Sequence, residues 1–215
     1  MEVHRPKLFH GWRELPKEVG IIVVGVLIAL GAQEAVGWLH QRVEVREARQ
    51  ALRSEIARNA AAALYATEEQ RCLNATQDRA VSASPNNHAQ SSTGLPAGGL
   101  GFSTNTWDAV RAGAVTYLPL EERLAYSRFY SQVELDQSVF NQGLALNLRL
   151  YGYTAMAVLT PAEVRLSQQD LKRARLVGSI RSQFAVATIQ AAKALGVDPE
   201  PYSTATRDML ARSCV

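Results

Sequence analysis

Hydrophobic side chains are concentrated near the start of the chain, in the run GIIVVGVLIALGAQEAVGWL at residues 20–39. The fourteen residues from Val19 to Ala32 carry no charged or strongly polar side chain, but as a helix they reach only about 21 Å. Continuing the helix through Glu34 to Leu39 gives about 31 Å, enough to cross the roughly 30 Å hydrocarbon core of a bilayer. A membrane helix therefore predicts that Glu34 lies near an interface or faces a protein partner, because a charge facing lipid at the bilayer centre costs about 3 kcal/mol.

This run has three interpretations: an uncleaved membrane anchor, a cleaved secretory signal, or the buried helix of a soluble domain. Trp12 and Trp38 favour the anchor, because on a continuous helix they lie about 39 Å apart and would place one indole in each headgroup region. Small residues around Gly31 permit cleavage there, but the apolar helical pattern continues beyond this point. We expect an uncleaved transmembrane helix over residues 18–39, with Trp12, Glu34 and Trp38 at the membrane interfaces.

A stripe of small residues follows one face of the predicted membrane helix: Gly25, Ala29, Ala32 and Val36. Small side chains let two helices approach closely in a bilayer, so this stripe predicts helix–helix packing. Glu34 falls about 180° from Gly25 around the helix. Either the stripe dimerises and Glu34 faces outward at headgroup level, which we prefer, or Glu34 pairs with a partner protein and the stripe is only part of the interface.

The expected topology rests on the flanks of the span and on the cysteines. Basic residues occur in similar numbers on both sides of the span, so the positive-inside rule decides little. We expect residues 1–17 to be a short cytoplasmic or interfacial segment, and residues 40–215 to form a periplasmic body at a bacterial inner membrane. In that oxidising compartment the isolated pair Cys72 and Cys214 is typically a disulfide, which we predict here.

The first part of the body has the pattern of one long helix. No glycine or proline occurs between Trp38 and Pro85, so the membrane helix is predicted to continue without a break. Residues 82–105 are rich in Ser, Gly, Pro and Asn and predict a long loop. Apolar residues spaced by three and four form a seam on the long helix, namely Val45, Ala48, Leu52, Ile56, Ala60, Ala63 and Ala66.

Local signals place the later helices. Thr106 is the predicted N-cap of a short helix, and another helix opens near Pro119. Thr160 and Glu163 match a capping box, which begins a helix that ends at Gly196. The predicted inner face of that helix consists of Val177, Ile180, Phe184, Ala187, Ala191 and Leu195.

A short helix over residues 203–212 follows, and no segment has a convincing strand pattern. The sequence therefore predicts an all-α fold: an N-terminal transmembrane helix continuing into a long helix of an antiparallel helical bundle. In such a bundle the last helix could bring Cys214 against Cys72.

Charge and chemistry narrow the functional classes. The net charge of +3 is spread over basic residues interleaved with acidic ones, so nucleic acid is not an expected partner. The four histidines all lie within the first 88 residues. A serine nucleophile would need a base, and the sequence pattern predicts no histidine beside one. We therefore assign no catalytic, metal or cofactor-binding residues, and expect neither an enzyme nor a cofactor.

Two segments carry a resemblance to a family. KEVGIIVVGVLIALGAQE and the later TWDAVRAGAVTYLPLEERLAYSRFYSQV resemble a group of small bacterial membrane-anchored proteins known only as a domain of unknown function. The likeness lies in the texture of the anchor and in Trp107, Gly113, Tyr126 and Tyr130. It implies an uncleaved single span and a helical body, and it implies no activity.

These expectations support one functional hypothesis and two alternatives. The first is a single-pass inner-membrane protein, in contact with membrane lipid, whose bundle binds another protein or forms a homo-oligomer. The second is a ligand-sensing bundle that acts through a separate signalling partner, since about eighteen cytoplasmic residues are too few for an output domain. The third is a hydrolase, which would require a base and a nucleophile brought together by the fold.

Overall fold

The fold is all-α over the residues that the computed structural model describes, which are 15–82, 101–154, 156 and 159–213. These residues form α1 (Leu15–Ser82), α2 (Asn105–Val110), a short 3-10 helix (Ala114–Tyr117), α3 (Leu120–Thr154), α4 (Pro161–Ala194) and α5 (Thr204–Ser213). The chain divides into two compact units, Met1–Glu47 and Ala48–Val215.

The first unit consists, in its described part, of the beginning of α1. Every residue from 19 to 40 is exposed. Among the described helices, α1 is the one whose length and composition would allow it to cross a membrane, and its apolar window is wholly exposed. The prediction that the apolar helix continues without a break towards residue 82 is confirmed.

The second unit is built on three long helices, of which α1 and α3 are parallel. Arg49 of α1 bonds Glu122 near the start of α3. Glu55, further along α1, bonds Tyr130, which is also further along α3. The two pairs follow the same sequence order, so both helices run in the same direction.

Helix α4 runs antiparallel to the other two, as the predicted bundle requires. Gly143 of α3 lies beside Val177, while the earlier Asp136 bonds the later Thr188. Two pairs show the same reversal between α1 and α4, namely Glu69 with Arg181 and Arg53 with the backbone of Gly196 just beyond the helix.

Helix α1 is enclosed over residues 59–66. The predicted seam is confirmed, since its members from Ala48 to Ala66 are buried and Val45 is half-buried. The structure adds Ala61, Ala62 and Tyr65 to the buried set, so the residues from 59 to 66 are buried except for Leu64, which is half-buried. Alanines make this enclosure feasible, because small side chains let neighbouring elements approach the helix axis from several directions.

Two helix ends match the signals read in the sequence. The Thr160 hydroxyl accepts from the Glu163 N–H, and the Glu163 carboxylate accepts from the Thr160 N–H, so the capping box is confirmed. Beyond the other end of α4, Gly196 has a φ of 65°, a left-handed conformation that glycine adopts without a steric penalty. The N–H of Val197 then donates to the Ala192 carbonyl, which closes the helix in a Schellman motif.

The start of α2 differs from the prediction. The N-cap is Thr104 rather than Thr106, and the helix runs over Asn105–Val110. The Thr104 hydroxyl donates to the Asp108 carboxylate at 2.9 Å instead of capping an N–H group. The N–H of Thr106 is bound by the Glu55 carboxylate of α1, so a residue distant in sequence supplies the cap that the local pattern suggested.

The remaining element bounds agree with the sequence. Helix α3 begins directly after Pro119, and α5 covers Thr204–Ser213. The predicted loop at 82–105 falls largely outside the described residues. Of its described residues, Ser82 ends α1, residues 101–104 are not helical, and Asn105 begins α2.

Candidate functional site

The predicted membrane-facing residues lie on the exposed surface of the first unit. Val36 is 66% exposed and Trp38 is 50% exposed, and a side chain added at Gly25 would meet no atom within 4 Å. The guanidinium of Arg42 stacks over the Trp38 ring at 3.8 Å, one helical turn further along α1. Ala29, Ala32 and Glu34 are likewise exposed, whereas Trp12 lies outside the described residues.

The predicted disulfide joins a described residue to one that is not described. Cys72 lies on α1, is half-buried and is not a free thiol. Cys214 lies outside the described residues, directly after the end of α5 at Ser213. The pairing of these two cysteines therefore stays a prediction.

A buried carboxylate forms the first polar centre of the bundle. The Glu55 side chain is 1% exposed. It accepts from the Ser103 hydroxyl at 2.9 Å, the Thr106 N–H at 2.9 Å, the Trp107 N–H at 3.2 Å and the Tyr130 hydroxyl at 2.8 Å. Burial, followed by the contact with Glu55, raises the pKa of the Tyr130 phenol well above its ordinary value, so this phenol keeps its proton throughout the normal pH range.

Asn59 extends this centre by one helical turn. Its amide nitrogen donates to the Ser103 carbonyl at 2.7 Å, and its amide oxygen accepts from the Ser103 N–H at 2.9 Å. Beside it the Trp107 indole stacks on the Tyr130 ring with centroids 4.9 Å apart. Glu55 and Asn59 thus hold residues 103–107 against α1. Both oxygens of the Glu55 carboxylate accept hydrogen bonds in this arrangement.

A second polar centre lies where α1, α3 and α4 meet. Arg181 of α4 bonds Glu69 of α1 at 3.2 Å, and its guanidinium lies over the Phe140 ring of α3 at 4.7 Å. Asp136 of α3 is fully buried and accepts from the Thr188 hydroxyl of α4 at 3.3 Å. Two carboxylates therefore share this interior with one guanidinium.

Burial controls the ionisation of both carboxylates. It raises the pKa of Asp136 to about 6, while Arg181 and Thr188 act in the opposite direction. It also raises the pKa of Glu69, against the lowering effect of Arg181. The pKa of the Tyr65 phenol is raised by burial and by the nearby Glu69 carboxylate.

Several polar atoms in the second centre have no hydrogen-bond partner within the described part of the chain. They are the Tyr65 hydroxyl, Glu69 Oε1, Asp136 Oδ1, and Nε and Nη2 of Arg181. Unsatisfied donors and acceptors are costly inside a protein, at about 1–3 kcal/mol each. The second centre is therefore less completely bonded than the carboxylate of Glu55.

An open groove of about 410 Å³ lies on the surface between α1 and α4. Its lining is mostly polar or charged and consists of Thr67, Gln70, Arg71, Ser179, Ser182, Gln183 and Val186. No group of three metal-ligating side chains occurs among the residues that the structure describes.

The two polar centres in the interior join helices to one another through buried hydrogen bonds and ion pairs.

Neither polar centre is predicted by the sequence pattern. A signal for the first was present, because Glu55 and Asn59 stand one turn apart beside the apolar seam of α1, where polar residues need partners. Those partners could not be read from the sequence, since Tyr130 lies 75 positions beyond Glu55.

Comparison with known proteins adds no relative. No family model, no curated protein and no solved structure matches this chain. The family resemblance seen in the sequence therefore stays a prediction.

Proposed function

We propose that this protein is a single-pass membrane protein whose helical bundle serves protein interaction or assembly, without catalysis. The observation that carries the proposal is the start of α1, where every residue from 19 to 40 is exposed although most are apolar. An apolar helix with no cover from the described part of its own chain requires lipid or another protein around it. Its length and composition suit a bilayer.

The edge of the apolar run supports a position at a membrane interface. Trp38 is an amphipathic ring of the kind enriched at headgroup level, and the Arg42 guanidinium lies over it. Glu34 stands one turn before Trp38, close enough to this edge for its carboxylate to reach the headgroups. In the topology that we propose, the N-terminus is cytoplasmic and residues 40–215 are periplasmic in a bacterial inner membrane.

The interaction role is supported by apolar side chains on the outside of the bundle. Residues that are more than half exposed include Tyr117, Leu120, Leu135, Leu148, Tyr151, Leu166 and Leu176. Both polar centres lie in the interior and bond helices of the same chain, so they suit a rigid support for surface contacts. The partner in this proposal is a second copy of the chain or another protein.

Insertion and topology are tested by one set of fusions. The full chain is fused after residue 215 to alkaline phosphatase, which is active outside the cytoplasm, or to a fluorescent protein that matures inside it. We expect phosphatase activity, resistance of the protein to carbonate extraction, and an intact N-terminus by sequencing. A new N-terminus after Gly31, or release by carbonate, would overturn the anchor.

The interaction role is tested by photo-crosslinking in cells. A photoreactive residue replaces the exposed Leu148 or Leu176, and the buried Leu146 serves as the matched control. We expect a discrete intermolecular product from an exposed position and none from the control. Equal, diffuse products from all three positions would contradict a specific partner surface.

A further inference from the structure

Ionisable side chains from three helices meet in the second polar centre. Glu69 belongs to α1, Asp136 to α3 and Arg181 to α4, and the exposed fractions of Glu69 and Asp136 are 2% and 0%. The three groups carry one positive and two negative charges when all are ionised. Any change in this balance acts directly on the junction of the three long helices.

We propose that Glu69, Asp136 and Arg181 form a proton-linked device that takes up one proton under mildly acidic conditions and thereby tightens the packing of α1, α3 and α4. This proposal goes beyond the proposed function, since it concerns how the bundle itself responds to pH. All three residues lie within the second unit.

The balance of buried charges favours the uptake of a proton. With both carboxylates ionised, the interior keeps one negative charge that Arg181 cannot neutralise, and an uncompensated buried charge is strongly unfavourable. Protonation of one carboxyl group removes that charge. Asp136 is the group expected to accept the proton, because Glu69 bonds the guanidinium at 3.2 Å whereas Asp136 is bonded by the neutral Thr188 hydroxyl.

The groups that face the two carboxylates support this assignment. Arg181 of α4 is the charged side chain that acts on both, and Thr188 from the same helix bonds Asp136. From α1, the neutral phenol of Tyr65 lies near Glu69. Among the described residues, the guanidinium of Arg181 is thus the positive charge set against two buried carboxyl groups.

Aromatic rings lie beside the Arg181 guanidinium and beside the Tyr65 phenol. The Phe140 ring of α3 lies against the Arg181 guanidinium. From the segment after α4, the Tyr202 ring meets the Tyr65 ring with centroids 6.2 Å apart, and burial followed by Glu68 raises the pKa of the Tyr202 phenol. These neighbours carry no further positive charge that could neutralise a second carboxylate.

The pH window follows from the Asp136 carboxyl. Its pKa is about 6 in the folded chain against an ordinary 3.8, so between these values the folded state binds more protons than the unfolded state. The stability contributed by this group is fully present below about pH 4 and is lost as the pH rises through about 6. The whole difference of about two pKa units corresponds to a roughly 100-fold change in the folding equilibrium, of which about tenfold falls between pH 5 and 8.

Backbone hydrogen exchange of the full chain in detergent micelles or nanodiscs tests the proposal. Exchange rates are corrected for the intrinsic pH dependence and compared for α3 and α4 at pH 5, 6, 7 and 8. We expect protection in the wild type to fall by about tenfold from pH 5 to pH 8. Asp136→Asn should show a clearly smaller fall, because the group expected to take up the proton is gone, and Glu122→Gln, outside this centre, should keep the wild-type profile.

Glu69→Gln provides an independent test, which applies even if Asp136→Asn does not fold. In Glu69→Gln the guanidinium has only Asp136 to neutralise and favours its ionised form, so the fall in protection between pH 5 and 8 should shrink or disappear. Parallel profiles for the wild type and Asp136→Asn would overturn the proposal. So would a flat wild-type profile, or a Glu69→Gln profile identical to that of the wild type.

Discussion

The Tyr130 hydroxyl on α3 donates to the Glu55 carboxylate on α1 at 2.8 Å, and both side chains are buried. The same carboxylate accepts from the N–H groups of Thr106 and Trp107 in the first turn of α2. A carboxylate from one helix thus binds the amide end of another, where negative charge is also favoured by the helix dipole. Glu55 joins three segments that are far apart in the sequence.

Glu55→Gln should destabilise the second unit by about 1–3 kcal/mol. Glutamine has nearly the same size, but its NH₂ group would point at donors and leave part of a buried network unsatisfied. Urea unfolding of the full chain in detergent micelles, followed by the near-ultraviolet signal of the Trp107–Tyr130 stack, measures the change. The control is the exposed Glu134 on α3, where Glu134→Gln should change stability by less than about 0.5 kcal/mol. Equal stability of the two variants would contradict the role assigned to Glu55.

Those features of the fold that have local causes could be predicted from the sequence. The capping box at Thr160 and the left-handed Gly196 depend on neighbouring residues, and the unbroken course of α1 beyond Trp38 follows from a stretch without glycine or proline. The seam on α1 was also predicted, because apolar spacing identifies a buried face without naming its neighbours.

The polar centres could not be predicted, because their partners come together only in the fold. Glu69 and Arg181 are 112 positions apart, and nothing near either residue specifies the other. The buried face of α4 was also placed one residue away from its true position. The predicted face was chosen from large apolar residues such as Ile180, which is exposed. The face that is packed includes small residues such as Gly178 and Ala185, which let α1 approach closely.

Gly143→Ala should stabilise the second unit, by up to about 1 kcal/mol. Alanine has the higher helix propensity, and its methyl group would lie 3.6 Å from a Val177 methyl, an ordinary contact distance. Gly178→Ala is the matched comparison, since its methyl group would overlap the side-chain amide of Gln70. We expect Gly178→Ala to lack the gain, because Gln70 must leave its buried position. Thermal unfolding of the two variants decides the point, and an equal rise in Tm for both would contradict the close packing at Gly178.

The Cys72–Cys214 disulfide is tested by mass analysis of the full chain extracted from membranes without reductant. We expect a peptide that joins the two cysteines and that separates after reduction. The physical reason is the oxidising compartment proposed for the body, in which an isolated cysteine pair is typically bonded. The reduced sample and a Cys72→Ser variant serve as controls. Two free thiols in the native protein would remove both the bond and a main argument for the periplasmic topology.

The Arg49–Glu122 pair should give a pH dependence opposite in sign to that of Asp136. Arg49 bonds Glu122 through two nitrogens at 2.8 and 2.7 Å, and these bonds lower the pKa of the Glu122 carboxyl in the folded chain. The stabilisation is therefore present above the ordinary pKa of 4.5 and is lost as the pH falls through the folded value.

Glu122→Gln should consequently cost more stability at pH 7 than at pH 3. The expected cost at pH 7 is below about 1 kcal/mol, because solvent screens a pair whose side chains are partly exposed. Urea unfolding of the wild type and the variant at pH 3, 5 and 7 measures it, with Asp136→Asn in the same series. A Glu122→Gln cost that grew towards low pH would show that Arg49 does not hold the carboxylate in its charged form. The two variants together separate a surface pair that favours the charged carboxylate from a buried centre that favours the protonated form.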